Sequence, residues 1–203
     1  MTAAVLCLAS ASPRRRELLA QIGVPHLVLA ADVDETRREG EDPAQYAARV
    51  ARAKAEAVWA QPARRQWLPV LAADTTVVLD GELLGKPSTR DEGVAMLLAL
   101  AGRAHEVVTA IALLDGSEGA PTLRRRVVRS VVSFRAIGRA EAQRYWHTGE
   151  PRDKAGGYAV QGLGAVFVAS LTGSYSGVMG LPLFETAELL AEAGVPRWAG
   201  AAP

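Results

Sequence analysis

Only one cysteine, Cys7, occurs in the 203 residues. That excludes an internal disulfide and a cysteine-based metal cage, and it fits a reducing compartment. Net charge is nearly absent as well. The 23 basic and 22 acidic residues leave +1, so no global field draws the chain onto nucleic acid or an anionic membrane, and any anion binding must be local. No apolar run is long enough to span a bilayer. The opening MTAAVLCLASAS has no Lys or Arg before its apolar stretch, so it reads as a first core strand rather than a secretory signal, and a cytoplasmic protein is expected. His26, His105 and His147 are scattered and no HExxH occurs, so histidine offers no metal cluster and these three are expected to be structural. There is neither an internal repeat nor a low-complexity linker.

The 49% hydrophobic content can bury a good core in a single domain covering 1–203. Strands are expected at 4–9 and 26–31, with Ser12 as N-cap and Pro13 starting a helix to about Ile22. Asp42 and Pro43 then open a helix over 43–60. WLPVLAADTTVVLDGELLGKP reads as a buried strand, an Asp-containing break and a hairpin at Asp80-Gly81. Ser88 or Thr89 caps a helix to about Ala101. Alternating, Val-rich segments at 104–114 and 122–136 predict two long antiparallel strands joined by DGSEGAP. A helix at 139–148, a glycine-rich loop KAGGYAVQGLG, a strand at 164–171 and a final helix LPLFETAELLAEAG closed by Gly194 complete an α/β or α+β chain.

Several residues break this pattern. Arg14, Arg15 and Arg16 fill the first turn of a helix, where unpaired N–H groups already make the field positive. Arg15 projects to the side of Leu18 and Leu19, so either it meets an anionic ligand or partner, or all three arginines splay into water. In 43–60, Ala47, Val50, Ala51 and Val58 form one stripe, Arg49, Arg52 and Glu56 the opposite face, and Lys54 lies inside the stripe. Lys54 either snorkels to the rim or sits in a cleft against a negative group. Asp74 is expected at the tip of a buried strand, as a metal ligand or base, or as a plain turn cap.

GELLGKPS is not a P-loop: three residues separate its glycines and Pro87 replaces the hydroxyl, which leaves Lys86 as a point charge on a rigid turn. QGLGAVF lacks the third small residue of a dinucleotide fingerprint. Arg124, Arg125, Arg126 and Arg129 alternate with valines and predict a solvated or edge strand. The remaining exceptions share one chemistry. Arg14, Arg15, Lys54 and Lys86 are cations at or near apolar faces, and Asp34, Glu35 and Asp74 are carboxylates in loops or at a strand end. Together they describe a site for a polyanion with a divalent metal, and phosphate esters fit best.

The ordered motifs SASPRRREL, DET, AADT, GKP, DKAGGYAVQG and GSYSGVMGLP resemble those of the Maf family of nucleotide pyrophosphatases, over about residues 4–194. The resemblance implies a mixed α/β fold with an elongated, curved sheet flanked by helices and two lobes around a central cleft, related to the inosine triphosphate pyrophosphatases. It implies Asp74 as general base, Ser10, Arg14, Arg15, Lys54 and Lys86 as phosphate contacts, and Glu35 with Asp74 as ligands of Mg²⁺ or Mn²⁺, Asp34 being a weaker candidate. Arg14, Thr75 and Gln161 are similar to the triplet of the branch that hydrolyses dTTP and UTP to monophosphate and pyrophosphate, as against the 7-methyl-GTP branch. Ala159 departs from the family's glycine before the hydrophobic residue and Gln. The expected partner is a nucleoside triphosphate, with no nucleic acid or membrane partner and a possible homodimer. Alternatives are a pyrophosphatase for 7-methyl-GTP or modified nucleotides, or a nucleotide-binding regulator of septum formation.

Overall fold

The computed structural model describes residues 3–61, 63, 68–117 and 120–198. In chain order it has strand β1 (Leu6–Leu8), helix α1 (Pro13–Gln21), β2 (His26–Val28), α2 (Pro43–Trp59), β3 (Val70–Leu79), β4 (Glu82–Leu84) and α3 (Arg90–Leu100). There follow β5 (Ala104–Ser117), β6 (Ala120–Phe134), α4 (Arg139–His147), short 3₁₀ turns, β7 (Val168–Thr172), α5 (Tyr175–Met179) and α6 (Leu183–Glu192). All seven strands join one sheet in the order β2-β1-β3-β5-β6-β7, with β4 also paired to β3. The chain is therefore a mixed α/β protein with helices between its strands. It divides into two compact units, the first comprising 1–74, 109–127 and 180–203 and the second 75–108 and 128–179.

In the first unit β1 runs parallel to β2 and β3, with Cys7 opposite Leu27 and Val70. Parallel neighbours need crossovers, and α1 and α2 lie in those connections. Buried on both faces, β1 and the start of β3 are continuously apolar: Leu6, Cys7, Leu8, Val70, Leu71, Ala72 and Ala73 are all inaccessible, as are Leu19, Val50, Ala55, Val58 and Leu189. Helix α2 starts on a capping box, in which the Asp42 carboxylate accepts from the Ala44 and Gln45 N–H groups and Gln45 accepts from the Asp42 N–H. Ser12 holds the N-cap position of α1 but makes no side-chain cap, contrary to expectation. Its own N–H is donated to Ser10 Oγ instead.

The second unit has its own core, in which Val77, Leu97, Leu100, Val132, Phe134, Tyr158, Val160 and Phe167 cluster. The Asp80-Gly81 turn closes β3 against β4 with φ of 54° and 83° at its two central residues, as a type I′ hairpin demands. A Cβ on Gly93 would stand 2.3 Å from the Trp146 ring, so this glycine lets α3 and α4 approach. The strand expected at 164–171 starts later, at Val168. Residues Leu163–Phe167 form a 3₁₀ turn, because the N–H groups of Leu163 and Gly164 are taken by the Glu150 carboxylate and not by a strand ladder. Helix α5, in GSYSGVMG, was not expected.

The two long strands run further toward each other than their alternation suggested. Asp115 and Gly116 belong to β5 and Ala120 and Pro121 to β6, while Glu118 and Gly119 of the DGSEGAP loop lie outside the described residues. Three of the four arginines of β6 are ion-paired: Arg124 with Asp115, Arg126 with Glu192 and Arg129 with Glu106. Strand β7 registers only with Val131–Phe134.

Candidate active site

Strand β1 delivers Ser10 to the start of α1. Its buried hydroxyl accepts from the Ser12 N–H at 3.2 Å and from Arg15 Nη1 at 3.2 Å, and Arg15 Nε donates to the Gly180 carbonyl at 2.8 Å. The Arg15 guanidinium is thus seated inward and does not splay into water. Burial pushes its pKa down, the neighbouring Arg14 adds to that, and Asp74 and Glu35 pull the other way. A guanidinium remains charged under such a shift. The first turn of α1 contains no acidic residue, so its positive end and Arg14 and Arg15 reinforce each other.

Lys54 reaches from the buried face of α2 to two carboxylates. Its Nζ lies 2.8 Å from Asp74 Oδ1 and 2.8 Å from Glu35 Oε1. The Lys54 and Asp74 side chains are 13% and 9% exposed and that of Glu35 is 47% exposed. Of the two readings of Lys54, the pairing with a negative group is the one seen. Asp74 does not end its strand as expected: it sits midway in β3, because Thr75, Thr76, Val77 and Val78 are strand formers that continue the ladder.

The loop carrying Glu35 is tied to α2. Arg49 donates from Nε and Nη2 to both oxygens of Glu41, and from Nη2 to the Thr36 carbonyl at 2.9 Å. That fork, with the Arg38 N–H, holds the Glu41 pKa down at about 2. Arg49 therefore does not belong with the solvent-facing Arg52 and Glu56, where its helical position put it. Tyr46, one row of four-residue steps from Lys54, is a site residue the sequence pattern did not single out. Its pKa is raised by burial and then by Asp74 and Glu35, so its phenol stays protonated. Spacing at i, i+4, i+8 through Val50 was the available signal.

The first unit thus holds Ser10 with Arg15, and Lys54 with Asp74 and Glu35, while Arg14 adjoins Arg15 in the chain and Tyr46 feels the charges of Asp74 and Glu35. Asp34 is exposed and accepts from the Thr36 N–H at 2.8 Å, a local turn that holds its pKa down and occupies its side chain. Thr75, Lys86 and Gln161 belong to the second unit. Thr75 follows Asp74 on β3, Lys86 is exposed after β4, and Gln161 is exposed in the glycine-rich turn. No group of three or more His, Cys, Asp or Glu residues that could enclose a metal exists among the described residues. Asp74 and Glu35 nonetheless converge on one cation, the Lys54 ammonium, and two hard oxygen donors suit Mg²⁺ or Mn²⁺, which are held by one or two carboxylates plus substrate phosphates.

A parallel strand running into an arginine-rich helix start, with two carboxylates gathered on a lysine, is the class of site that handles phosphate groups. The chain matches the family described as Maf-like protein over residues 5–193. It is 55% identical over 199 residues to the dTTP/UTP pyrophosphatase of Saccharophagus degradans, covering 98% of this chain and 93% of that one. It is 54% identical over 188 residues to the dTTP/UTP pyrophosphatase of Alkalilimnicola ehrlichii, with 91% of each covered, and 52% identical over 196 residues to that of Bordetella avium, with 94% and 96% covered. This chain belongs to the Maf-like protein family. The solved structure of the Staphylococcus aureus Ham1 protein shows a faint likeness, at 17% identity and a TM-score of 0.38 over 63% of this chain and 71% of that one.

Proposed function

We propose that this protein hydrolyses nucleoside triphosphates, dTTP and UTP before others, to the monophosphate and pyrophosphate. The observation that carries it is the bridge from Lys54 to Asp74 and Glu35 beside the inward-turned Arg15. Relatives more than 50% identical over nine-tenths of the chain, named dTTP/UTP pyrophosphatases, support the reaction and the substrates. On this reading Arg14, Arg15 and the N–H groups at the start of α1 hold the phosphates. Lys54 and Lys86 add positive charge, and Ser10 seats Arg15 and donates its own hydroxyl. Thr75 and Gln161, with Arg14, are assigned to base selection.

Asp74 takes a proton from a water whose oxygen bonds to the α-phosphorus. The bond from that phosphorus to the bridging oxygen breaks, and pyrophosphate leaves with the electron pair. Lys54 fixes the orientation of Asp74 through its hydrogen bond at 2.8 Å. Glu35 and Asp74 would hold Mg²⁺ or Mn²⁺, which when bound neutralises phosphate charge. The place of action proposed is the cytoplasm, where the triphosphate pool is. No helix among the described residues is long and apolar enough to cross a membrane. A homodimer is also proposed, and sedimentation tests it.

The test is a panel of canonical, 7-methylated and otherwise modified triphosphates with Mg²⁺, following pyrophosphate and orthophosphate separately. Pyrophosphate from dTTP and UTP is expected. Orthophosphate as first product, or tight nucleotide retention without turnover, would contradict the proposal, the latter in favour of a binding regulator.

A further inference from the structure

Gln161 stands in a turn whose glycines, Gly162 and Gly164, answer to a side chain twelve and fourteen residues upstream, that of Glu150. Glu150 Oε1 accepts from the Tyr145 hydroxyl at 2.6 Å and from the Gly164 N–H at 2.9 Å, and Oε2 accepts from the Leu163 N–H at 2.9 Å. The Tyr145 oxygen in turn accepts from the Ala159 N–H at 3.2 Å. Gln161 is therefore bracketed two residues before and two and three residues after by backbone groups that end on one carboxylate and one phenol. The fit is close. A Cβ on Gly162 would lie 2.2 Å from Glu150 Oε2, and one on Gly164 would lie 2.7 Å from the Tyr145 oxygen. The QGLG sequence that failed as a dinucleotide fingerprint is explained by this seat: glycine is needed where the carboxylate and phenol press on the chain.

From this geometry we infer that Glu150, seated by Tyr145, is a positioning residue that fixes the turn presenting Gln161 and thereby sets selectivity among pyrimidine bases. The inference rests on the assignment of Gln161 to base selection. A Gln amide both donates and accepts, which matches the adjacent C=O and N–H of uracil and thymine. In cytosine those two positions are exchanged in donor and acceptor sense, so a correctly aimed amide discriminates and a loosened one does not. Burial raises the Glu150 pKa, but the Tyr145 hydroxyl, the two N–H groups and Lys154 outweigh it, so the carboxyl is held below its ordinary value and the group is an acceptor at neutral pH. Lys154 itself donates to the Glu150 carbonyl at 2.8 Å, tying down the backbone of the same residue.

The experiment measures kcat and KM for UTP, dTTP and CTP in the full chain carrying Glu150→Gln, Tyr145→Phe or Gln161→Ala. In Glu150→Gln one of three donors faces an NH₂ group, so the ratio of kcat/KM for UTP over CTP is expected to fall by about tenfold, the scale of one misaligned hydrogen bond. The change lies in KM for UTP, with kcat largely kept. Tyr145→Phe keeps the carboxylate and moves the ratio in the same direction by less, which preserves the test if Glu150→Gln folds poorly. Combining Glu150→Gln with Gln161→Ala gives no further loss of ratio. A Glu150→Gln protein that lowers turnover of all three nucleotides equally while Gln161→Ala alters their ratio overturns the positioning role and leaves base selection by Gln161 standing. A Gln161→Ala protein with the wild-type ratio overturns the assignment of Gln161, and this inference with it.

Discussion

Replacing Lys54 by methionine keeps the length of the side chain and removes the ammonium that holds Asp74 and Glu35 together. The Asp74 side chain is only 9% exposed, so its carboxylate loses its cation in a place water scarcely reaches. Removing one partner of a buried pair costs about 3–5 kcal/mol. Glu35 is half exposed and adds less than about 1 kcal/mol. We expect Lys54→Met to lose about 3 kcal/mol at pH 7.5. A domain with about 5–15 kcal/mol of stability still folds after that loss, and its urea midpoint falls by roughly 1 M. Adding Asp74→Asn should return about 2 kcal/mol, because the stranded charge is then gone. Millimolar Mg²⁺ or Mn²⁺ should stabilise Lys54→Met more than the wild type and have little effect on the double variant, since a divalent cation can take the place of the ammonium. The assay is urea denaturation of the three proteins, followed by tryptophan fluorescence with and without metal. A Lys54→Met protein that unfolds at the wild-type midpoint would refute the idea that the two carboxylates depend on this cation.

His105 makes stability depend on pH. Burial holds its pKa down at about 4, against 6.5 for a free imidazole, its Nε2 contacts the Tyr158 hydroxyl at 2.8 Å and its Nδ1 is buried without a partner. The unfolded chain therefore binds a proton that the folded chain refuses, and stability falls as pH drops from about 6.5 toward 4, by about 3 kcal/mol in all. His105→Gln should flatten that decline between pH 6.5 and 5 in urea titrations, and an unchanged slope would show that the imidazole is not its source. Gly93→Ala drives a methyl into the Trp146 ring and should cost about 1–3 kcal/mol, read as a lower Tm with unaltered substrate preference.

What could be seen in the sequence was whatever local chemistry decides. Asp42 before Pro43, the Asp80-Gly81 dipeptide and the apolar runs each specify an element through their own neighbours. Lys54 was visible as a charge within an apolar stripe, and Arg15 as a cation at the wrong helix end. Asp74 reads in the sequence as a break because it is a carboxylate, while the β-branched residues after it carry the strand onward. Other features depend on residues far apart in the chain. Arg15 finds its acceptor 165 positions away at Gly180, and the turn at Leu163 replaces an expected strand because Glu150 takes its N–H groups. Arg49 looked solvent-facing by helical angle, and only the folded loop before α2 gives it Glu41 and the Thr36 carbonyl.

The central claim is that Asp74, held by Lys54, activates the water that cleaves the triphosphate. Asp74→Asn keeps the shape of the side chain and removes the base, so UTP should bind within about threefold of the wild-type affinity while pyrophosphate release falls by at least about 10²-fold. Equilibrium binding and single-turnover pyrophosphate release on the same preparation give both numbers. Near-normal release from Asp74→Asn, with binding intact, would contradict the account.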